Sequence, residues 1–133
     1  MSYSIRSLQS EDFKACVDLW TRDGMIHEEN IEQHLKVLLK RNPGLSKIAI
    51  SKEEIIGCVL ASYNGFRGYI FRLVVHKDHR RQGVGKKLIN ACEEDLKKFS
   101  MPKLTLNCRK ELVPWYKEQG FNVKDAVYLS KEL

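Results

Sequence analysis

At 133 residues, 43% hydrophobic and 30% charged, the chain has the size and balance of one ordinary soluble globular domain. No apolar run approaches the length needed to cross a bilayer, and the first residues do not form a signal peptide, so a membrane or exported role is not expected. The net charge of +6 suits an anionic ligand, but the basic residues are spread from Arg6 to Lys131, which argues against a dedicated nucleic-acid surface.

In chain order, residues 3–7 alternate and predict a short first strand. Ser10-Glu11-Asp12 opens a helix with Ser10 as its expected N-cap and Phe13, Cys16, Val17 and Trp20 on one face, closed by Asp23-Gly24. A second helix fits residues 29–40, with Ile31, Leu35, Leu38 and Leu39 inward, and stops at Asn42-Pro43-Gly44. Strands at 46–51 and 55–63 flank the tight turn Lys52-Glu53-Glu54 and read as a hairpin. After a turn at 64–68 comes a third consecutive strand, 69–75, rich in β-branched and aromatic residues. A long helix over 83–98 then leads to a strand at 103–107, a crossover that should leave those two strands parallel. A short helix over 114–119 has Pro near its start and Gly120 at its stop, and strands at 121–123 and 127–133 are expected to finish the fold. Cys16, Cys58, Cys92 and Cys108 stand far apart with no metal-ligand spacing. They read as reduced thiols of a cytoplasmic protein, and no metal site is expected.

Chemistry concentrates where the 69–75 strand passes into the long helix, through His76-Lys77-Asp78-His79-Arg80-Arg81-Gln82-Gly83-Val84-Gly85-Lys86-Lys87. The first N–H groups of a helix lack internal partners and carry the positive end of the helix dipole. Glycines let a ligand approach that backbone, and four basic side chains add charge, so the junction suits a phosphate or pyrophosphate. A P-loop is a poor fit, since Arg80 stands where its first glycine belongs and Lys87 where Ser or Thr would hold magnesium. A dinucleotide fingerprint also fails, because Leu88 replaces its third glycine.

The pattern R-x-x-G-x-G, filled by Arg80, Gly83 and Gly85, resembles the acetyl-coenzyme A signature of the GCN5-related N-acetyltransferase (GNAT) superfamily. Trp115-Tyr116-Lys117-Glu118-Gln119-Gly120-Phe121 resembles the family's recurrent (F/W/L)-Y-(E/K)-x-x-G-F segment, and the element order β-α-α-β-β-β-α-β-α-β-β extends the resemblance over almost the whole chain. Among subgroups the chain looks nearest to small stand-alone bacterial members of the YpeA-like type. The resemblance implies an α/β fold, a twisted mixed sheet flanked by helices, forming a single acetyltransferase domain over residues 1–133. It also implies transfer of an acetyl group from acetyl-coenzyme A to a primary amine through a ternary complex.

By the same resemblance the coenzyme A pyrophosphate falls to the backbone of Arg81, Gln82, Gly83, Val84, Gly85 and Lys86, and the pantetheine arm to Leu73, Val74 and Val75. Tyr116 takes the position of the acid that supplies a proton to the departing thiolate. The Asn that many members carry seven residues before this Tyr is here Arg109, and Asn107 is the candidate to replace its hydrogen bond. No acidic base is visible on the central strands, where Arg72 and Thr105 stand instead. On the acceptor side, the loop 22–30 offers Asp23, Glu28 and Glu29 to a cationic amine. Two other classes remain open: a non-catalytic coenzyme A-binding sensor and, on charge alone, a nucleic-acid-binding domain. A monomer or a homodimer would fit the sequence equally.

Overall fold

The structure, a computed structural model, describes residues 2–25, 27–100 and 102–133. Its elements are β1 (Ser4–Ser7), α1 (Phe13–Arg22), α2 (Ile31–Arg41), β2 (Lys47–Ser51), β3 (Glu54–Tyr63), β4 (Gly68–Val75), α3 (Val84–Lys97), β5 (Leu104–Thr105) and α4 (Val113–Glu118). Short 3₁₀ turns at Ser10–Asp12, Lys77–His79 and Lys110–Leu112 precede α1, α3 and α4. The five strands lie in chain order, antiparallel from β1 to β4, with β5 parallel to β4 as the crossover requires.

Strand alternation builds a core on each face of the sheet. On one face Ala49, Val59, Ala61 and Ile70 meet Val84, Leu88, Ile89, Cys92 and Leu96 of α3. On the other, Ile48, Cys58, Leu60 and Val74 meet Phe13, Cys16, Leu19 and Trp20 of α1 and Leu35 of α2. Each of these large apolar side chains stabilises the fold by about 1.5–3 kcal/mol. Two irregularities reset the alternation. Between the Ala49↔Gly57 and Ile50↔Ile55 pairs, Ile56 is an extra residue, so Ile56 and Cys58 face opposite cores although two apart. Between Cys58↔Val74 and Leu60↔Phe71, β4 places Arg72 and Leu73 against Val59, so Ile70 and Val74 also face opposite ways.

Polar contacts lock the ends of these elements. The helix start is not capped by Ser10. The chain first makes the Ser10–Asp12 turn, with Gln9 in the capping position and its N–H donated to the Asp12 carboxylate at 2.9 Å. Arg6 adds a two-pronged ion pair to the same carboxylate at 2.8 and 3.0 Å. Burial pushes Asp12 up, but the Arg6 hydrogen bond and the Gln9 N–H outweigh it and hold the group below its usual value. Lys47, itself buried, donates to Gly44 O at 2.7 Å and pairs with Asp95 of α3, tying helix to sheet.

The two closing strands expected from the sequence do not form. Every residue from Asn122 to Leu133 is exposed and carries no regular structure, with Val127 and Leu129 about 84% and 85% accessible. A strand needs a neighbouring edge, and within one chain this segment pairs with none. β5 is correspondingly reduced to two residues on the rim of the sheet.

Candidate active site

The site begins with the bulge in β4. Arg72 takes φ +52° without being glycine, which costs on the order of 1 kcal/mol. The strain is offset by contacts that the bulge creates. The Arg72 carbonyl accepts the Trp20 indole N–H at 2.9 Å, and the guanidinium lies 5.3 Å from the Trp20 ring centroid. The same guanidinium reaches His27 Nδ1 at 3.1 Å and Glu28 at 3.8 Å, fastening the α1–α2 loop to the sheet.

Ahead of the bulge β4 has already lost its second neighbour. Its ladder to β5 consists of Gly68↔Leu104 and Tyr69↔Thr105, so the strands part past Tyr69 and the Leu73–Val75 edge opens onto a cleft. The His76 N–H still reaches Ile56 O at 2.7 Å, and His76 Nδ1 accepts the Asp78 N–H at 3.1 Å to start the turn. Arg80 then acts as a clamp. Its Nε donates to Val75 O at 3.0 Å and its Nη2 to Asp23 at 2.8 Å, joining the end of β4 to the end of α1.

Two left-handed residues bring the chain round into α3, Arg81 at φ +64° and Gly83 at φ +80°. The loop-to-helix bond runs from Lys87 N to Gly83 O, so the N–H groups of Val84, Gly85 and Lys86 precede it, and all three residues line the cleft. Gly85 has a packing reason as well. A Cβ there would lie 3.2 Å from the Trp115 ring, so glycine lets α4 seat directly against the first turn of α3.

Trp115 in turn sets Tyr116. The two rings meet edge to face at 4.9 Å, and Phe121 closes the other side of Tyr116 at 5.7 Å. Burial, helped by the nearby Cys108 sulfur, pushes the Tyr116 phenol up to about 12, so it is fully protonated at neutral pH.

The resulting cleft, about 420 Å³, brings together Leu73, Val74, Val75, Arg81, Gly83, Val84, Gly85, Lys86 and Tyr116. Two of the sequence candidates are elsewhere. Gln82 lies on the loop but outside the cleft lining, its carbonyl accepting the Tyr3 hydroxyl at 3.5 Å. Asn107 lies past the end of β5, bonds the Tyr69 hydroxyl at 3.0 Å, and lines a different cleft. Arg109 faces the first cleft instead, with His79, Leu112 and Trp115, none of which the sequence reading placed there. Arg109 had a signal, since it occupies the position seven residues before Tyr116 at which the family pattern expects a ligand-facing Asn. Of the loop carboxylates offered to an amine, Asp23 is paired with Arg80 and Glu28 with Arg72. The rim is therefore dominated by Arg80, Arg81, Lys86 and Arg109, a donor set that matches an anionic ligand. Among the described residues no group of His, Cys, Asp or Glu could hold a metal ion, and no helix is long and apolar enough to cross a membrane.

The sequence model of the acetyltransferase (GNAT) family matches residues 3–121. An acetyltransferase of Pectobacterium atrosepticum is 31% identical over 97% of this chain and 94% of its own length. One from Sodalis glossinidius is 29% identical, covering 94% and 91%. Among solved structures, Ard1 of Thermoplasma volcanium superposes with a TM-score of 0.82 at 20% identity, covering 93% of this chain and 85% of that one. Glucosamine-6-phosphate N-acetyltransferase of Arabidopsis thaliana gives 0.75 at 20% identity over 99% of both chains.

Proposed function

The chain belongs to the GNAT family of acetyltransferases, and on that premise we propose that it moves an acetyl group from acetyl-coenzyme A to a primary amine in one direct step, using the cleft between β4 and Tyr116. The observation that carries this reading is convergence. An anion-binding helix start, a strand edge with unpaired backbone and a protonated phenol, far apart in sequence, line one cavity.

Each part has a physical task. The free N–H groups at the start of α3, with Arg81, Lys86 and Arg109 beside them, suit the phosphates of the donor. The open edge at Leu73, Val74 and Val75 can pair with the amide-bearing arm as a further strand would. A backbone N–H at that edge, near Val75, would stabilise the oxyanion that develops as the amine nitrogen attacks the thioester carbonyl. The carbon–sulfur bond then breaks, the electron pair goes to sulfur, and Tyr116 meets that sulfur with its O–H.

The protonation state of Tyr116 refines its role. A phenol held up to about 12 by burial is a weaker acid than a thiol of ordinary acidity, so donating a hydrogen bond to sulfur is easier for it than giving up its proton. Tyr116 therefore supports departure chiefly as a hydrogen-bond donor, and the thiolate takes its final proton from the amine or from water. The acceptor is a primary amine delivered from the α1–α2 side. The buried free thiols Cys16, Cys58 and Cys92 suit a reducing, cytoplasmic setting.

The test is release of free coenzyme A across a panel of peptide, polyamine and amino-sugar acceptors. Tyr116→Phe should lower kcat about 100-fold or more while leaving the dissociation constant for acetyl-coenzyme A within about twofold. Unchanged turnover would remove Tyr116 from the reaction.

A further inference from the structure

The α1–α2 side of β4 is built around an arginine in a strained position. Arg72 holds φ +52° at the bulge, directly before Leu73 of the cleft wall. Strained residues persist only where their surroundings over-determine them, and they cluster at functional sites. The Arg72 side chain is 19% exposed and reaches Glu28 and His27 of the α1–α2 loop.

Its neighbours hold the guanidinium without cancelling its charge. It lies 5.3 Å from the Trp20 ring centroid, and Nη1 is 3.9 Å from the Met25 sulfur. Nη1 also meets His27 Nδ1 at 3.1 Å. A guanidinium can only donate, so Nδ1 accepts and the ring hydrogen sits on Nε2. Nε2 gives that hydrogen to Thr21 Oγ1 at 2.8 Å, whose own hydrogen goes to Val17 O at 2.8 Å. The imidazole is a neutral strut.

A carboxylate does face the cation, that of Glu28, and it is loosely held. It stands 3.8 Å from Nη2, outside hydrogen-bond reach, on a loop residue whose side chain is 64% exposed. Such a pair contributes little and is easily exchanged. The Arg6–Asp12 pair shows a committed partner in the same molecule, with two bonds at 2.8 and 3.0 Å to a carboxylate only 5% exposed.

We propose that Glu28 stands in for a carboxylate of the acceptor, and that the acceptor is a small amine of the amino-acid class, which carries its own carboxylate. This rests on the acetyl-transfer reading. The donor fills the cleft between β4 and Tyr116, so the amine approaches from the opposite side of β4, past Arg72. Its acid group displaces Glu28 and takes two parallel hydrogen bonds from the guanidinium. A cationic amine without an acid group meets Arg72 and Arg80 unrewarded, because Asp23 is already engaged by Arg80 at 2.8 Å. Diamines and polyamines are thereby disfavoured.

The test compares amino acids of increasing amine-to-carboxylate spacing, each with its neutral carboxamide, by release of coenzyme A. The unaltered protein should prefer the acids in kcat/KM by about tenfold or more. Arg72→Gln should abolish that preference, and Arg72→Lys should restore part of it. Glu28→Gln removes the competing carboxylate, so the acid-to-amide ratio should rise about two- to fivefold through a lower KM for the acid. Glu28 is an exposed loop residue, so its substitution keeps the test valid where an Arg72 variant fails to fold. Equal use of acids and amides, or a ratio that falls in Glu28→Gln, would overturn the proposal while leaving acetyl transfer in place. Binding separates the two readings where no acceptor turns over. With saturating coenzyme A, the acids should raise the unfolding midpoint more than the amides do, and Arg72→Gln should cancel the difference. That difference without any turnover would sink the transfer reading and keep the carboxylate site; no difference and no turnover would overturn the site as well.

Discussion

Residues 4–97 and residues 102–133 are built on different terms. Among the described residues, every fully buried apolar side chain lies between Leu8 and Leu96, and none follows. The first region has a sheet covered on both faces, with α3 on one and α1 and α2 on the other. The second is a two-residue strand, a six-residue helix and an exposed tail resting on the first. Yet the two halves of the chemistry are divided between them. The loop proposed to hold the donor's phosphates and the strand edge belong to the dense region, while Tyr116 belongs to the thin one. Stability and activity should therefore separate by region.

The largest effect on stability should come from Trp20→Ala. It removes a completely buried ring and leaves the Arg72 carbonyl without its donor, at a cost of about 3–5 kcal/mol in urea denaturation. Trp115→Ala reverses the pattern. The ring is half-buried, so global stability should fall by only about 1–2 kcal/mol, but Tyr116 loses the ring that packs between it and Gly85 and kcat/KM should drop at least tenfold. Equal losses of stability in the two variants would break the comparison.

Titration separates the regions further. The Lys47 hydrogen bond holds Asp95 below 3.8, and Asp12, despite its burial, is held below it by Arg6. Both stabilise the fold above about pH 4, and that contribution is lost as pH falls through their lowered values. Asp95→Asn should cost about 1–2 kcal/mol at pH 7 and flatten the acid limb of the stability curve. At the other extreme, burial raises Tyr116 from 10.0 and Cys92 from 9.0, each to about 12. Their contribution is complete below about pH 9 and is lost as pH rises toward 12, so Tyr116→Phe should remove part of the alkaline loss without changing the acid side. The smallest effect belongs to the β2–β3 turn, where Lys52 and Glu53 both adopt positive φ, 49° and 67°. Replacing them by Asn-Gly should stabilise the protein by about 0.5–1 kcal/mol, read as a rise in Tm with unchanged kcat.

The sequence was informative where structure is local. Alternation marked β1, the tight turn marked β2 and β3, β-branched and aromatic composition marked β4, helical spacing marked α1 and α3, and the glycines marked the loop. It was misleading where the outcome depends on a distant partner. Residues 121–123 and 127–133 have strand composition, but composition supplies no edge, and neither stretch joins the sheet. Asn107 and Arg109 lie two apart past the end of a strand, where alternation no longer dictates direction, so which one faces the first cleft was not legible. The loop carboxylates looked available to an amine because their partners, Arg80 and Arg72, are 57 and 44 residues away. Arg72 in a left-handed bulge had no sequence signature at all, since no glycine announces it.

The central claim, that the loop before α3 and the open edge of β4 form a site for acetyl-coenzyme A, is tested most directly by thermal unfolding with single ligands. Acetyl-coenzyme A, coenzyme A, ATP and NAD should be compared in parallel. A ligand present at 100 times its dissociation constant stabilises the folded state by about 2.7 kcal/mol, which raises Tm by several degrees in a chain of this size. The account expects that rise with the two coenzyme A compounds and little with ATP or NAD. A rise with ATP or NAD and none with acetyl-coenzyme A would contradict it.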